Sequence, residues 1–215
     1  TEVWTDEFKM VQHLEENPAG TAPQMKDSTI NGNNGTSQGS MTADDLVEAK
    51  VAKGLDFDGS NDYVYASDST SLDVTGNITV EAWVNPSTVS EKGIVTKGLN
   101  GDLAYGLTIA SSKKFGFYVT TATSWGPSAY VVGTTTPTAG NYYHIVGVYN
   151  GSTVKIYVNS NEENSTSYSS GIRNSGGLLY IGCFYNTTTY DFFGLIDEVR
   201  ISNVARSAAW IKASY

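Results

Sequence analysis

Five short runs rich in Val, Ile, Tyr and Thr constrain this chain more than any other feature. They are "NITVEAWVNP" (77–86), "YGLTIA" (105–110), "KFGFYVTT" (114–121), "YYHIVGVYNGSTVKIYVNS" (142–160) and "GLLYIGCFY" (177–185), separated by clusters of Gly, Asn, Pro or Ser. β-branched and aromatic residues bounded by turn formers predict strands. In "VYNGSTVKIYV", Asn150-Gly151 joins two alternating runs, the signal of a tight hairpin. Val154, Ile156 and Val158 then face a core, while Lys155, Tyr157 and Asn159 face away. Helix signals are few. "SAAWIKASY" (207–215) predicts a short terminal helix capped by Ser207, and "TADDLVEAK" (42–50) a helical turn or two. Residues 18–39 read as a long polar loop. No repeat and no linker divides the chain, so residues 1–215 are expected to form a single all-β domain. Its strands must cover their apolar faces, which predicts two packed antiparallel sheets.

A length of 215 residues suits one sandwich. Only 16% of residues are charged, so the surface relies on Ser, Thr, Asn and Gly, as is common outside the cell. A net charge of −9 argues against nucleic acid and against anionic membrane surfaces as partners. No apolar run approaches the roughly 18 residues a membrane helix needs, so no membrane insertion is expected. The chain opens on Thr1 with no signal-peptide pattern, which suggests a mature product or a module of a larger secreted or surface protein. Its one cysteine, Cys183, lies in an apolar run and is expected to be a buried, inert thiol.

"GLDFDGSNDYV" (54–64) gathers three aspartates and an asparagine, but it lacks the spacing of a helix–loop–helix calcium site. Leu55 and Phe57 alternate inward, and Asp58-Gly59 and Asn61-Asp62 supply turn chemistry. Glycoside hydrolysis needs two carboxylates about 5–10 Å apart across the scissile bond. No strand carries the alternating acids that would place them, and Glu81 has no carboxylate partner on its strand. His13 and His144 stand without matching partners, and there is neither a Gly-x-Ser-x-Gly elbow nor a Cys–His pairing. No catalytic residue is assigned.

The series "HLEENPAGTAPQMKDSTINGNNGT", "GLDFDGSNDYV", "ITVEAWVNP", "YYHIVGVYNGSTVKIYVN", "LYIG" and "FFGLIDEVRISNVARSAAWI" resembles the laminin-G-like jelly-roll domains of the concanavalin A-like lectin/glucanase superfamily. The resemblance runs from about His13 to Ile211, and "GLIDEVRISNVARS" and "FDGSNDYV" are its most specific parts. It implies a two-sheet antiparallel jelly-roll β-sandwich with its first and last strands close together. The strand pattern of polysaccharide lyases on this fold, Arg-x-Glu with Gln-x-His, is missing.

The expected function is a non-catalytic, extracellular carbohydrate-binding or recognition module. The alternative is a structural or adhesive domain whose partner is a cell-surface protein. Sugars present C–H patches and hydroxyls together, so a binding surface pairs aromatic faces with amides and carboxylates. The loop candidates are Trp125, Tyr130, Tyr185, Asn186 and Tyr190. Trp83 and Trp210 look like packing residues. The resemblance also implies calcium, Ca²⁺, at a sandwich rim. Asn100 and Asp102 would contribute from one loop, and Asn186 and Asp191 from another late in the chain. A second, structural ion would sit at Asp197 of "GLIDEVRI", with Asp27 as its helper.

Overall fold

The computed structural model describes residues 4–99, 101–123, 126–184 and 189–215. Within them lie β1 (Phe8–Gln12), β2 (Gly35–Gln38), β3 (Leu46–Glu48), β4 (Lys53–Asp58) and β5 (Tyr63–Ala66). Next come β6 (Ile78–Pro86), β7 (Lys92–Leu99), β8 (Asp102–Ile109), β9 (Phe115–Val119) and β10 (Ala129–Val132). The last strands are β11 (Tyr143–Tyr149), β12 (Thr153–Val158), β13 (Asn161–Ser167), β14 (Leu179–Ile181) and β15 (Phe193–Ser202), followed by the helix α1 (Ala208–Ser214).

Two sheets pack face to face in the expected jelly roll. One has the order β13-β12-β11-β6-β15-β4-β3, with β1 added on β15, and the other runs β10-β9-β8-β7-β14-β5-β2. First and last strands pair directly: Val11 lies opposite Arg200 and Gln12 opposite Val199. Between the sheets sits one apolar core, to which Phe57, Tyr105, Phe115, Phe117, Ile145, Ile156 and Ile196 contribute fully buried side chains. Leu55, Phe57, Val154, Ile156 and Val158 point into it as the alternation predicts. Tyr157 faces away, yet it is buried: α1 covers it together with Val146, Val148 and Ile211.

Local signals translate directly into structure at several points. The Asn150 carboxamide oxygen accepts from the amides of Ser152 and Thr153 and so shapes the β11–β12 turn. Ser207 accepts from the Trp210 amide and starts α1. Asp58 accepts from the amides of Ser60 and Asn61, and buried Asp62 accepts from those of Ser40 and Asp58, so the 58–62 carboxylates turn the chain. Cys183, the chain's one cysteine, is fully buried. Two expectations need correction. Residues 42–50 hold only a 3-10 turn, Ala43–Asp45, boxed by Thr42 and Asp45, before the chain extends into β3. The polar segment 18–39 contains β2, which pairs with β5 and closes that sheet's edge.

At one end of the sandwich the loops are gathered by Lys97, whose side chain points inward and is fully buried. Its ammonium donates to Asp68 Oδ1 at 2.5 Å, to the Ser175 carbonyl at 2.7 Å and to the Gly177 carbonyl at 2.5 Å. Asp73 Oδ1 lies 3.5 Å away. One cation therefore ties β7 to two loops that are distant in sequence.

Candidate functional site

The outer face of the seven-stranded sheet carries a row of residues in cross-strand register. Tyr130 lies opposite Tyr118, Tyr118 opposite Gly106, and Gly106 opposite Thr96. Thr96 lies opposite Tyr180, Tyr180 opposite Tyr65, and Tyr65 opposite Thr36. Seven strands spaced about 4.8 Å apart make this row roughly 29 Å long. Alternation creates it: Val119, Phe117, Leu107, Leu179, Val64 and Ala66 turn into the core, so the residues between them turn out. The rings touch one another. Tyr118 meets Tyr130 at 6.3 Å and Phe184 at 5.9 Å between centroids, and Phe184 meets Tyr190 at 6.1 Å. On the other side Tyr63 lies 6.5 Å from Tyr65 and 5.9 Å from Tyr180.

Two glycines let the rings lie along the sheet. A Cβ at Gly116 would stand 2.5 Å from the Tyr130 ring, and one at Gly106 would stand 2.8 Å from Tyr118. Tyr130 Oη is anchored to Thr108 Oγ1 at 2.8 Å, yet the residue remains 39% exposed. A cleft of about 50 Å³ between Tyr118, Tyr130, Phe184 and Glu91 has space for a few waters only. Beyond Tyr65 and Thr36 the row ends at an open polar hollow of about 440 Å³, bounded by Asn31, Asn34, Ser67 and Asp68. The middle of the row is covered: Thr96 is fully buried with its hydroxyl donating to the Cys183 carbonyl, and Tyr118 and Tyr180 are buried, so the row reaches solvent at Tyr130 and, in part, at Tyr65 and Thr36. The helix α1 packs on the opposite sheet.

Of the binding residues expected from sequence, Tyr130 and Tyr190 belong to this aromatic group, while Trp125, Tyr185 and Asn186 lie outside the described residues. Sequence reasoning overlooked Tyr63, Tyr65, Tyr118, Tyr180 and Phe184. The signal was present in "NDYVYA", "FGFYV" and "LLYIG", where tyrosines occupy the outward phase of an alternation whose inward phase is apolar.

Of the residues expected at a calcium rim, Asp102 and Asp191 are not brought together. Asp102 and Asp191 lie at opposite ends of β7, because Leu99 pairs with Asp102 while the Gly93 amide donates to the Tyr190 carbonyl. Eight residues of strand separate such ends by more than about 20 Å. Asp102 is bound by Arg173 at 2.6 Å and by Ser175 Oγ at 2.9 Å. Asp191 is buried, and desolvation pushes its carboxyl up to about 6 against the pull of Lys92. Asn100 lies outside the described residues. Asp27 is committed elsewhere: its two oxygens accept from the amides of Val11, Thr29 and Asn33 and from Thr29 Oγ1. Asp197 is fully buried; Oδ2 accepts from the Val51 amide at 2.8 Å and Oδ1 has no hydrogen-bond partner. Burial pushes its carboxyl up to about 7. Among the described residues, no three acidic, His or Cys side chains converge as a metal group.

The other sheet's outer face carries a charged layer. Arg200 joins Glu81 at 3.2 Å to Glu198 at 2.5 Å, and His13 Nδ1 lies 2.5 Å from Glu198. His13 is therefore accompanied, contrary to its sequence reading. Its bond to Glu198 raises its pKa above the ordinary value. Burial would raise Glu198, but bonds from His13 and Arg200 outweigh burial and hold it low. His144 Nε2 is 3.6 Å from Glu81 Oε2, and its ring stacks on Trp83, which in turn stacks on Tyr215. Trp4 lies against Arg200 and His13. Both glutamates are almost wholly buried, and each is paired with the same Arg200.

A profile of the concanavalin A-like lectin/glucanases superfamily, in its laminin-G form, matches residues 58–212. The chain belongs to that superfamily. Among solved members of this fold, the binding domain of Paraclostridial Mosquitocidal Protein 1 aligns over 97% of this chain and 52% of its own, at 13% identity and a TM-score of 0.72. Domain 4 of AbnA, a GH43 extracellular arabinanase from Geobacillus stearothermophilus solved with arabinotriose, aligns over 96% of this chain and 97% of its own, at 17% identity and 0.71. The ligand-binding domain of botulinum neurotoxin serotype D, solved with N-acetylneuraminic acid, aligns over 98% and 50%, at 12% identity and 0.69. The chain thus spans about half the length of the toxin domains and nearly all of the arabinanase domain. No curated protein sequence matches it. These likenesses establish a concanavalin A-like jelly roll.

Proposed function

We propose that this domain is a non-catalytic glycan-binding module that works outside the cell, with the tyrosine row of the seven-stranded sheet as its binding face. The observation that carries the reading is the register itself: tyrosines from four strands share one line, with Tyr130 exposed and Tyr65 half-buried at its two ends and Tyr118 and Tyr180 buried between them. Aromatic rings receive the C–H faces of sugar units, and tyrosine hydroxyls at their edges meet sugar hydroxyls. The polar hollow beyond Tyr65 adds amides and a carboxylate at one end of the line. A binding rather than hydrolytic role fits the burial of Glu81 and Glu198 on the far face, each held by Arg200. The arabinotriose complex of the arabinanase domain, which nearly matches this chain in extent, supports the same reading.

Affinity electrophoresis through gels containing soluble polysaccharides tests it. Tyr130→Ala and Tyr65→Ala should each weaken retention about five-fold, the loss of about 1 kcal/mol of ring contact. Retention of both variants at the wild-type level on a retarding polysaccharide would reject this face.

A further inference from the structure

We infer that the hollow beside Tyr65 takes a sugar unit through two neighbouring free hydroxyls, with Asp68 as an acceptor, an inference that rests on the glycan-binding reading above. The hollow opens where the row reaches solvent at Tyr65 and Thr36, which lie opposite each other on β5 and β2. Its volume of about 440 Å³ falls in the range of small-ligand sites. Asp68 stands between this hollow and the buried Lys97. Its Oδ1 accepts from that ammonium at 2.5 Å, yet the side chain keeps 39% of its surface exposed. The buried cation thus fixes the carboxylate in place and leaves Oδ2 for an incoming donor.

The rest of the wall is also held from behind. Buried Asn33 donates to the Lys9 carbonyl and to Ser71 Oγ and accepts from Ser69 Oγ, so the loop around 31–34 is tied to the one around 67–71. Asn31 spends its amide nitrogen on the Phe8 carbonyl and Thr29 Oγ1, which leaves its carboxamide oxygen as an acceptor. Asn34 spends its oxygen on the Asp27 amide, which leaves its nitrogen as a donor. All three line the one hollow. A single hydroxyl has one proton and cannot serve both acceptors, whereas two adjacent ones donate to Asp68 and Asn31 and accept from Asn34. The C–H face of the ring then falls to Tyr65. Linkage decides which polymers offer such a pair. An internal pyranose joined through carbon 3 keeps no two hydroxyls on adjacent carbons, whereas one joined through carbon 4 or 6 keeps the pair at carbons 2 and 3.

The test is affinity electrophoresis in linear arabinan, soluble xylan and dextran, whose internal units carry neighbouring hydroxyls, and in a linear 1,3-linked glucan, whose internal units do not. At least one of the first three should retard the wild type, and the fourth should bind at least about ten-fold more weakly. Asp68→Asn and Asn34→Asp should each weaken retention about ten-fold. The first removes a charge-assisted acceptor, and the second turns a donor into an acceptor while keeping the oxygen that holds the Asp27 amide. Asn34→Asp leaves the Lys97 pair intact, so it decides the matter if Asp68→Asn does not fold. Wild-type retention of Asn34→Asp, or equal binding of the 1,3-linked glucan, would overturn the hydroxyl-pair site; the glycan-binding reading then stands as long as Tyr65→Ala and Tyr130→Ala still weaken retention. Retardation by none of the four polymers, or retention indifferent to all four substitutions, would overturn that reading itself.

Discussion

At the scale of single residues, what counts is the pairing of a glycine on one strand with a ring on the next. Gly116 leaves room for Tyr130 and Gly106 for Tyr118. A methyl group at 116 would lift a ring that is already partly in solvent, whereas one at 106 would press on Tyr118, which is 2% exposed. Gly116→Ala should therefore lose polysaccharide affinity to the extent that Tyr130→Ala does, with little change in urea stability. Gly106→Ala should cost about 1–3 kcal/mol in the same urea titration, the usual penalty of overpacking. Equal stability of the two variants would contradict this difference in burial. Sequence reading could name Tyr130 because it sits beside loop residues. It passed over Tyr118 and Tyr180, whose roles depend on neighbours brought alongside by the sheet. His13 shows the same limit, since its partner Glu198 is 185 residues away.

Among the elements, β15 has the most divided role. Its first half pairs with β4, from Phe193 opposite Asp58 to Ile196 opposite Leu55, and its second half pairs with β1. The change of partner falls at a bulge between Asp197 and Arg200, where Glu198 adopts φ +54. That backbone turns Glu198 toward His13 and Arg200, so β1 is fastened to β15 by an ion pair as well as by its ladder. The bond raises the His13 pKa above 6.5, so its stabilisation is complete below that pH and fades as pH rises through the folded-state value. His13→Gln should flatten the fall in melting temperature between about pH 6 and 8; an unchanged slope would mean that the pair does not couple to folding. Hairpins, caps and alternating strands were legible because their causes lie within a few residues. β2 and β13 were not, because "GTSQ" and "NEENSTS" are polar edge strands whose extension is imposed by the neighbours they pair with.

For the molecule as a whole, the two outer faces differ in make-up: one is covered by α1 and threaded with ion pairs, and the other is lined with rings. The end gathered by Lys97 holds the sheets' connections in place. Lys97→Met should lower stability by about 3–5 kcal/mol in urea unfolding, because Asp68, Asp73 and two carbonyls would lose their common cation. A loss below about 1 kcal/mol would make that cation dispensable. The superfamily motifs made the overall architecture legible, yet they did not reveal that Asp102 and Asp191 come to opposite ends of β7, because linear order does not reveal which end of a strand a loop returns to. Tyr118 and Tyr130, held edge to face and seated over Gly106 and Gly116, have few rotamers left to surrender. Their ordering was completed during folding, so association should proceed at collision-controlled rates with a small entropic penalty, and differences among ligands should appear in how slowly they leave.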